Sequence, residues 1–188
     1  SVLRKKCNVD VISVSEPITE GMYGRLIEMV IEWSDEFYLY NLSGEVMRGM
    51  TQKALKGGYN SNVPIGYIKE RGRDKIPQIE PKGAEIVRKI FDMYTEQNIP
   101  MSDIAAKLNK SGYRTARGSF FETRVVGYIL ENPFYIGKIR WNFFDKQSNK
   151  RKNPDDVIIS DGKHEAIISD EQFSKAANRR AHDRLRTG

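Results

Sequence analysis

Cysteine and histidine are scarce in this chain of 188 residues. The single cysteine, Cys7, excludes an internal disulfide framework, and two histidines, His164 and His182, are too few for a Cys/His zinc site. His164-Glu165 has Ile168 where a zinc-protease helix needs its second histidine. We therefore expect solvated or capping histidines, no metal, no cofactor and a cytoplasmic protein.

Long hydrophobic runs and catalytic motifs are missing as well. No apolar run approaches the roughly 20 residues that span a bilayer. The sequence has no glycine-rich phosphate loop, no nucleophile elbow, and no serine or cysteine backed by a histidine. The paired acids Asp35-Glu36 and Asp155-Asp156 fall in segments that we expect to be solvated. We therefore assign no catalytic residue in this chain.

Acidic residues are depleted in one stretch of the chain. Residues 101–150 hold 9 basic and 4 acidic groups, so most of the net charge of +6 arises there. Between Ile104 and Phe121 there is no acidic residue. A basic excess concentrated in one region is typical of proteins that bind a polyanion. The charge distribution therefore indicates a nucleic-acid partner.

Proline is absent from residues 24–56, where apolar residues recur at steps of three and four. This spacing predicts one long helix with a seam like that of a coiled coil, formed by Leu26, Val30, Trp33, Phe37, Tyr40 and Met47. After Glu45 the helix carries Arg48, Lys53 and Lys56 and no acid. On the simplest interpretation these cations only complement the helix dipole of a dimerisation helix.

Residues 57–63 are rich in glycine and polar residues and predict a linker. In residues 64–188 we predict helices from Pro81, from a cap at Ser102 and over residues 122–131, and a last helix after a capping box of Ser169 and Gln172. Strands are predicted over 9–14 and 135–141, the latter pairing with 157–159 across a polar loop. The expected fold is mainly α with a small β component (α+β): a long N-terminal helix, then a helix-turn-helix-like helical domain with a short β-hairpin or small sheet.

The helices over 102–110 and 122–131 are the candidate binding element. Small residues on the first helix let it pack across the second, as in a helix-turn-helix whose second helix enters the major groove of DNA. The basic and hydroxyl side chains around the second helix are candidates for phosphate contacts, Arg124 could read a guanine, and Tyr128 faces outward. These candidates are Lys107, Lys110, Arg114, Thr115, Arg117, Ser119 and Thr123.

Lys138 and Arg140 alternate on the predicted strand and form a possible second basic strip. The alternatives are an exposed sheet face for this strip, a core position for Tyr128, and a solvated face of a small helical bundle for the helix pair. A dimeric, non-enzymatic helix-turn-helix transcription regulator and a scaffold dimer that never touches nucleic acid also remain open.

Several runs of the chain resemble large serine recombinases of the resolvase/integrase superfamily. Residues 11–18, followed by Gly24-Arg25-Leu26, look like the end of the catalytic domain of that family. Gly66-Tyr67 and the runs 104–109, 129–137 and 167–173 match its DNA-binding recombinase domain. The resemblance divides the chain into a catalytic-domain remnant (1–23), a dimerisation and DNA-crossing helix (24–56), a linker (57–63) and a DNA-binding domain (64–188).

The resemblance implies a bacterial or phage-encoded recombinase of the phage integrase or transposon resolvase type. Such an enzyme cuts and rejoins double-stranded DNA at an attachment or resolution site through a 5′-phosphoserine intermediate. The long helix would form a homodimer through Leu26, Val30, Trp33 and Phe37, and dimers would pair into a tetramer in the synaptic complex of the parent. Arg48, Lys53 and Lys56 would cross the DNA backbone. The family's serine motif is missing here, so we expect the nucleophile upstream of Ser1 and an inactive chain.

Overall fold

The computed structural model describes residues 22–70, 72, 75–145, 148 and 150–187, and these form a mainly helical chain with short strands. The predicted fold class is confirmed; the predicted strand over 9–14 lies outside the described residues. The chain divides into two compact units, Ser1–Gly49 and Met50–Gly188. The helices are α1 (Met22–Leu55), α2 (Pro81–Thr95), α3 (Met101–Lys110), α4 (Thr123–Leu130) and α5 (Asp170–Thr187).

Helix α1 confirms the long helix predicted over 24–56. Within the first unit most of its apolar side chains are exposed, and the rings of Trp33 and Phe37 stack with centroids 5.4 Å apart. From Met50 onward the helix belongs to the second unit, where Ala54 is fully buried and its carbonyl accepts a 2.6 Å hydrogen bond from Ser160 Oγ.

The core of the second unit forms around α2. One face of this helix is apolar at helical spacing, and Val87, Ile90 and Phe91 are fully buried. Helices α3, α4 and α5 all contact α2, and α4 also contacts α3 and α5. Glu80 caps α2 by accepting hydrogen bonds from the first backbone amides, and Pro81 occupies the first turn, where its missing N–H costs nothing.

The predicted cap of α3 is wrong. The helix begins at Met101, two residues before the start that a cap at Ser102 would give, because Pro100 in an extended conformation takes the cap position. The Ser102 hydroxyl instead donates to the Asp103 carboxylate at 3.2 Å. At the start of α5, Ser169 Oγ accepts from the Gln172 amide at 3.2 Å as predicted. The Gln172 side chain turns away from the cap and donates to Asp92 of α2 at 2.6 Å, and so ties α5 to α2.

Six short strands form three antiparallel pairs in the described residues. β1 (Tyr67–Ile68) pairs with β2 (Gln78–Ile79), β3 (Lys138–Trp141) with β6 (Ile158–Asp161), and β4 (Phe144–Asp145) with β5 (Lys150–Arg151). The predicted pairing of 135–141 with 157–159 is thus confirmed from Lys138 onward. The strand does not include Tyr135, which lies in a buried 3₁₀ turn, Pro133–Ile136. The polar loop predicted between these strands contains β4 and β5 instead.

His164 is buried, contrary to the expectation of a solvated or capping histidine. Its imidazole stacks on Phe134 with centroids 3.6 Å apart, and its Nε2 lies 2.7 Å from the Phe134 carbonyl oxygen. The hydrogen bond and the stacking explain why a polar ring is tolerated in this core. His182, on α5, is exposed.

Residues 57–63, predicted as a linker, make specific contacts within the second unit. The Tyr59 ring lies 4.5 Å from that of Phe134, and the Gly57 carbonyl accepts a hydrogen bond from the Lys163 amide at 3.3 Å. Gly57 has a φ of +75°, and a Cβ there would lie 2.6 Å from the Asp161 carbonyl oxygen. The segment is therefore positioned by packing and by a backbone conformation that favours glycine.

Candidate nucleic-acid interface

Helix α4 presents a polar ridge to solvent. Val126, Ile129 and Leu130 are buried, whereas Arg124 and Tyr128, one turn apart, are exposed. Arg124 lies 3.8 Å from the Glu122 carboxylate with its side chain 73% exposed, so the ion pair leaves it accessible. The outward position predicted for these two side chains is present in the structure.

The connection between α3 and α4 is held by the side chain of Asn109. Its Nδ2 donates to the Phe121 carbonyl and its Oδ1 accepts from the Phe121 amide, both at 2.8 Å. Phe121 itself is buried. Arg114 donates to the carbonyls of Tyr113 (2.7 Å) and Asn109 (3.3 Å) and lies over the Phe120 ring. Arg114, a predicted phosphate ligand, thus contacts residues of α3 and of the segment that joins α3 to α4.

A tight turn carries Arg117 at its tip. The Gly118 amide donates to the Thr115 carbonyl at 2.8 Å, and Thr115 and Ser119 pair through a 2.9 Å backbone hydrogen bond. The Thr115 hydroxyl also accepts from the Ser119 amide at 3.1 Å, and Gly118 supplies the positive φ. Arg117 is exposed, and no hydrogen bond or ion pair within the described part of the chain holds its side chain against the protein.

We call the depression between this turn and one side of α4 the first groove. Its volume is about 510 Å³. It brings together five predicted site residues, namely Thr115, Arg117, Ser119, Arg124 and Tyr128. Exposed Phe120, which is not among the predicted site residues, also lines it.

Other predicted residues lie elsewhere. Lys107 and Lys110 line a separate groove against α2, together with Lys89 and Tyr113. Lys138 and Arg140 lie on β3, and neither lines the first groove. Arg48 belongs to the first unit and pairs with Glu45. Lys53 lines a polar groove with Tyr59 and Asn60, and Lys56 is exposed just beyond the end of α1.

A second groove, of about 640 Å³, follows the opposite side of α4. Thr123, Gly127 and Glu131 form its helical wall, and Arg124 and Tyr128 separate it from the first groove. Its other wall contains Arg151 of β5 and Arg180 of α5. No local sequence signal marks these two arginines, because they reach α4 only through folding.

Glu131, just after α4, binds both arginines of that wall. Its oxygens lie 2.5 and 3.0 Å from Arg151 nitrogens and 2.7 Å from Arg180 Nη2, and Arg140 Nη1 lies at 3.6 Å. Burial alone would raise the pKa of Glu131, but the hydrogen bonds from Arg151 and Arg180 outweigh it and lower the pKa to about 2. Glu131 is therefore a carboxylate at neutral pH.

Comparison with known proteins places the grooves in a family domain. The family model "Recombinase" matches residues 81–183, from the start of α2 into α5, and so contains α3, the turn, α4 and the arginine wall. The chain belongs to the Recombinase family. A comparison with curated proteins found no match.

Two solved structures share the fold of this recombinase chain. One is described as "Crystal Structure of a LSR-DNA Complex", with 19% identity, a TM-score of 0.54, and coverage of 73% of this chain and 38% of that one. The other, "Sequence Requirements of the Listeria innocua prophage attP site", has 19% identity, a TM-score of 0.50, and coverage of 72% and 51%. The chain thus spans between about a third and about half of the length of those chains. The predicted resemblance to the recombinase family is confirmed.

None of the described helices is both long and apolar enough to cross a membrane.

Proposed function

We propose that this chain is the DNA-binding part of a site-specific serine recombinase and that α4 enters the major groove of double-stranded DNA. The observation that carries the proposal is the exposed ridge of α4 beside the Arg117 turn, within a domain of the Recombinase family. Family membership favours this function over a transcription regulator or a scaffold. The two structures of similar fold are described with DNA and with a prophage attP site, which supports an attachment site as the ligand.

The residues of the first groove take different roles in this proposal. Arg124, on the exposed ridge, can present two parallel N–H groups to the O6 and N7 of a guanine. Arg117 at the tip of its turn neutralises a phosphate, and the Ser119 hydroxyl donates to a backbone oxygen. The Thr123 hydroxyl, which lies on the second groove, donates to a backbone oxygen there. Tyr128 extends the ridge and packs against the sugar or base edges.

The strand exchange itself belongs to the parent protein in this proposal. The serine motif of the family is not found among the residues of this chain, so the chain contributes DNA binding and the parent protein contributes the 5′-phosphoserine chemistry. Helix α1 forms a homodimer through Leu26, Val30, Trp33 and Phe37, and Arg48, Lys53 and Lys56 cross the DNA backbone. Pairing of two such dimers produces the tetramer of the parent.

Alanine substitutions separate the two kinds of contact. We expect Arg117→Ala to weaken binding to every duplex and to lower the slope of log K against log salt by about 0.9, one phosphate contact. Arg124→Ala should instead cost about 1–3 kcal/mol at one base position and relax the preference there. Fluorescence anisotropy with a duplex selected from a random library, and with its single-base variants, measures both effects.

Arg88→Ala is the matched control, because Arg88 is an exposed cation on α2 that lines neither groove. This variant should have the same salt slope and the same base preference as the unsubstituted chain. The proposal would be overturned if the unsubstituted chain bound DNA independently of salt. It would also be overturned if all three substitutions changed the affinity and the base preference equally.

A further inference from the structure

Glu131 gathers arginines from three elements that are distant in sequence. Arg140 comes from β3, Arg151 from β5 and Arg180 from α5, and all three approach one carboxylate within 3.6 Å. A single arginine would neutralise Glu131, so the cluster keeps a local charge of +2. The neighbouring acid of the second groove, Asp183, contacts Arg179 at 3.6 Å and accepts from the Tyr94 hydroxyl at 3.0 Å.

The members of the cluster differ in exposure. The side chains of Glu131 and Arg180 are 16% and 13% exposed, whereas that of Arg151 is 55% exposed. The Arg140 side chain is 22% exposed, and its guanidinium lies 4.3 Å from the centre of the Phe143 ring. Excess positive charge in a partly enclosed site is costly unless an anion compensates it. The second groove therefore has room and unmatched charge for an anion beside Arg151 and Arg180.

We propose that Glu131 is a positioning residue that aims Arg151 and Arg180 at a DNA phosphate on the side of α4 opposite the Arg117 turn. The inference rests on the proposed function. A helix in a major groove about 12 Å wide lies between two sugar–phosphate backbones, so both of its sides face phosphates. The first groove supplies Arg117 to one backbone, and the second groove supplies the arginine pair to the other. The planar guanidinium group matches the bidentate geometry of a phosphate.

A carboxylate so close to DNA has a cost, and the cost makes the inference testable. Glu131 repels phosphates in general, yet it restricts two arginines to one orientation. Its removal should therefore leave binding to a scrambled duplex equal or tighter while it lowers the preference for the selected duplex. A residue with only a structural role would weaken both complexes together.

The experiment compares Arg151→Ala, Arg151→Lys, Glu131→Gln and the double variant Glu131→Gln/Arg151→Ala in the full chain, with Arg88→Ala as the charge-matched control. Affinities are measured against the selected and scrambled duplexes over a salt series. Arg151→Ala should lower the salt slope by about 0.9, and Arg151→Lys should restore it because the charge is kept. Glu131→Gln should reduce discrimination by about tenfold. That reduction should be much smaller in the Arg151→Ala background.

Each outcome decides between the two hypotheses. An unchanged slope for Arg151→Ala, with a reduced slope for Arg117→Ala, overturns this inference and leaves the proposed function intact. If the unsubstituted chain shows no salt-dependent binding to DNA, the proposed function is overturned. If Glu131→Gln lowers the affinity for both duplexes equally and also lowers the melting temperature, Glu131 has only a structural role. Because Arg151 is mostly exposed, its two variants remain informative even if Glu131→Gln does not fold.

Discussion

A buried imidazole links two parts of the C-terminal unit at the level of single residues. His164 stacks on Phe134 and meets the Tyr67 ring edge-on, with centroids 5.4 Å apart. The Phe134 carbonyl accepts from Nε2, so the neutral ring carries its proton there. Burial lowers the pKa of His164, an effect that the hydrogen bond to Phe134 opposes only in part. Protonation is therefore disfavoured in the folded state.

This lowered pKa makes stability depend on pH. Above the ordinary histidine pKa of 6.5 the ring is neutral in both states and its contribution is complete. As the pH falls from 6.5 toward the lower folded pKa, the unfolded chain takes up a proton that the folded chain excludes. We expect the free energy of unfolding to fall by up to about 1.4 kcal/mol per pH unit in this window. Urea unfolding between pH 7.5 and 5 measures it.

His164→Gln should be less stable at neutral pH but should lose this component of the pH dependence. His182→Gln is the matched control, because it removes an exposed imidazole and leaves the packed ring in place. Equal pH dependence in the parent and in His164→Gln would show that the buried ring does not control stability.

At the scale of elements, the connection between α3 and α4 is longer than the usual helix-turn-helix turn, yet it is closely held. The Asn109 side chain bonds the backbone of Phe121 in the manner of a strand pair. We expect Asn109→Ala to destabilise the chain by about 1–3 kcal/mol, because a buried amide and a carbonyl lose their partners. Chemical denaturation measures the change.

Asn178→Ala, at an exposed position on α5, controls for the loss of an amide and should stay within about 0.5 kcal/mol of the parent. The Asn109 variant should also weaken DNA binding, because the Arg117 turn lies on the connection that Asn109 holds. A fully stable Asn109→Ala chain would contradict this account of the connection.

The elements that sequence reasoning found are those set by local periodicity. The apolar stripe of α2 and the long spacing pattern of α1 suffice to predict both helices. The start of α3 was missed because Pro100 competes with Ser102 for the cap, and its fixed φ suits that position. The strand predicted from Tyr135 begins later, because Tyr135 is drawn into the core and its hydroxyl donates to the Ile65 carbonyl at 3.0 Å. Tertiary packing, absent from any local window, decides such cases.

For the whole molecule, the difference between local sequence pattern and tertiary packing explains which site residues could be predicted from the sequence. Thr115, Arg117, Ser119 and Arg124 are close in sequence, so a local basic stretch marks them and one groove unites them. Arg151 and Arg180 lie 20 and 49 residues beyond Glu131, and only the folded chain brings them to α4. Lys107 has the same charge as Arg117 but faces α2. Charge in the sequence thus indicates the ligand, while the fold decides which cations can share a surface.

The first unit carries the last prediction, which concerns self-association of the chain. Leu26, Val30, Trp33 and Phe37 lie along one side of α1 and are each more than half exposed. Burial of such a stripe is worth about 25 cal/mol per Å² of apolar surface, so a second copy of the helix is a favourable partner. We expect concentration-dependent dimerisation in sedimentation equilibrium, and Trp33→Glu/Phe37→Glu should abolish it. Leu39→Glu, which changes an equally exposed side chain on the opposite side of α1, should leave the dimer intact. A chain that stays monomeric would contradict the predicted dimerisation. Loss of the dimer in Leu39→Glu as well would contradict its assignment to this side of α1.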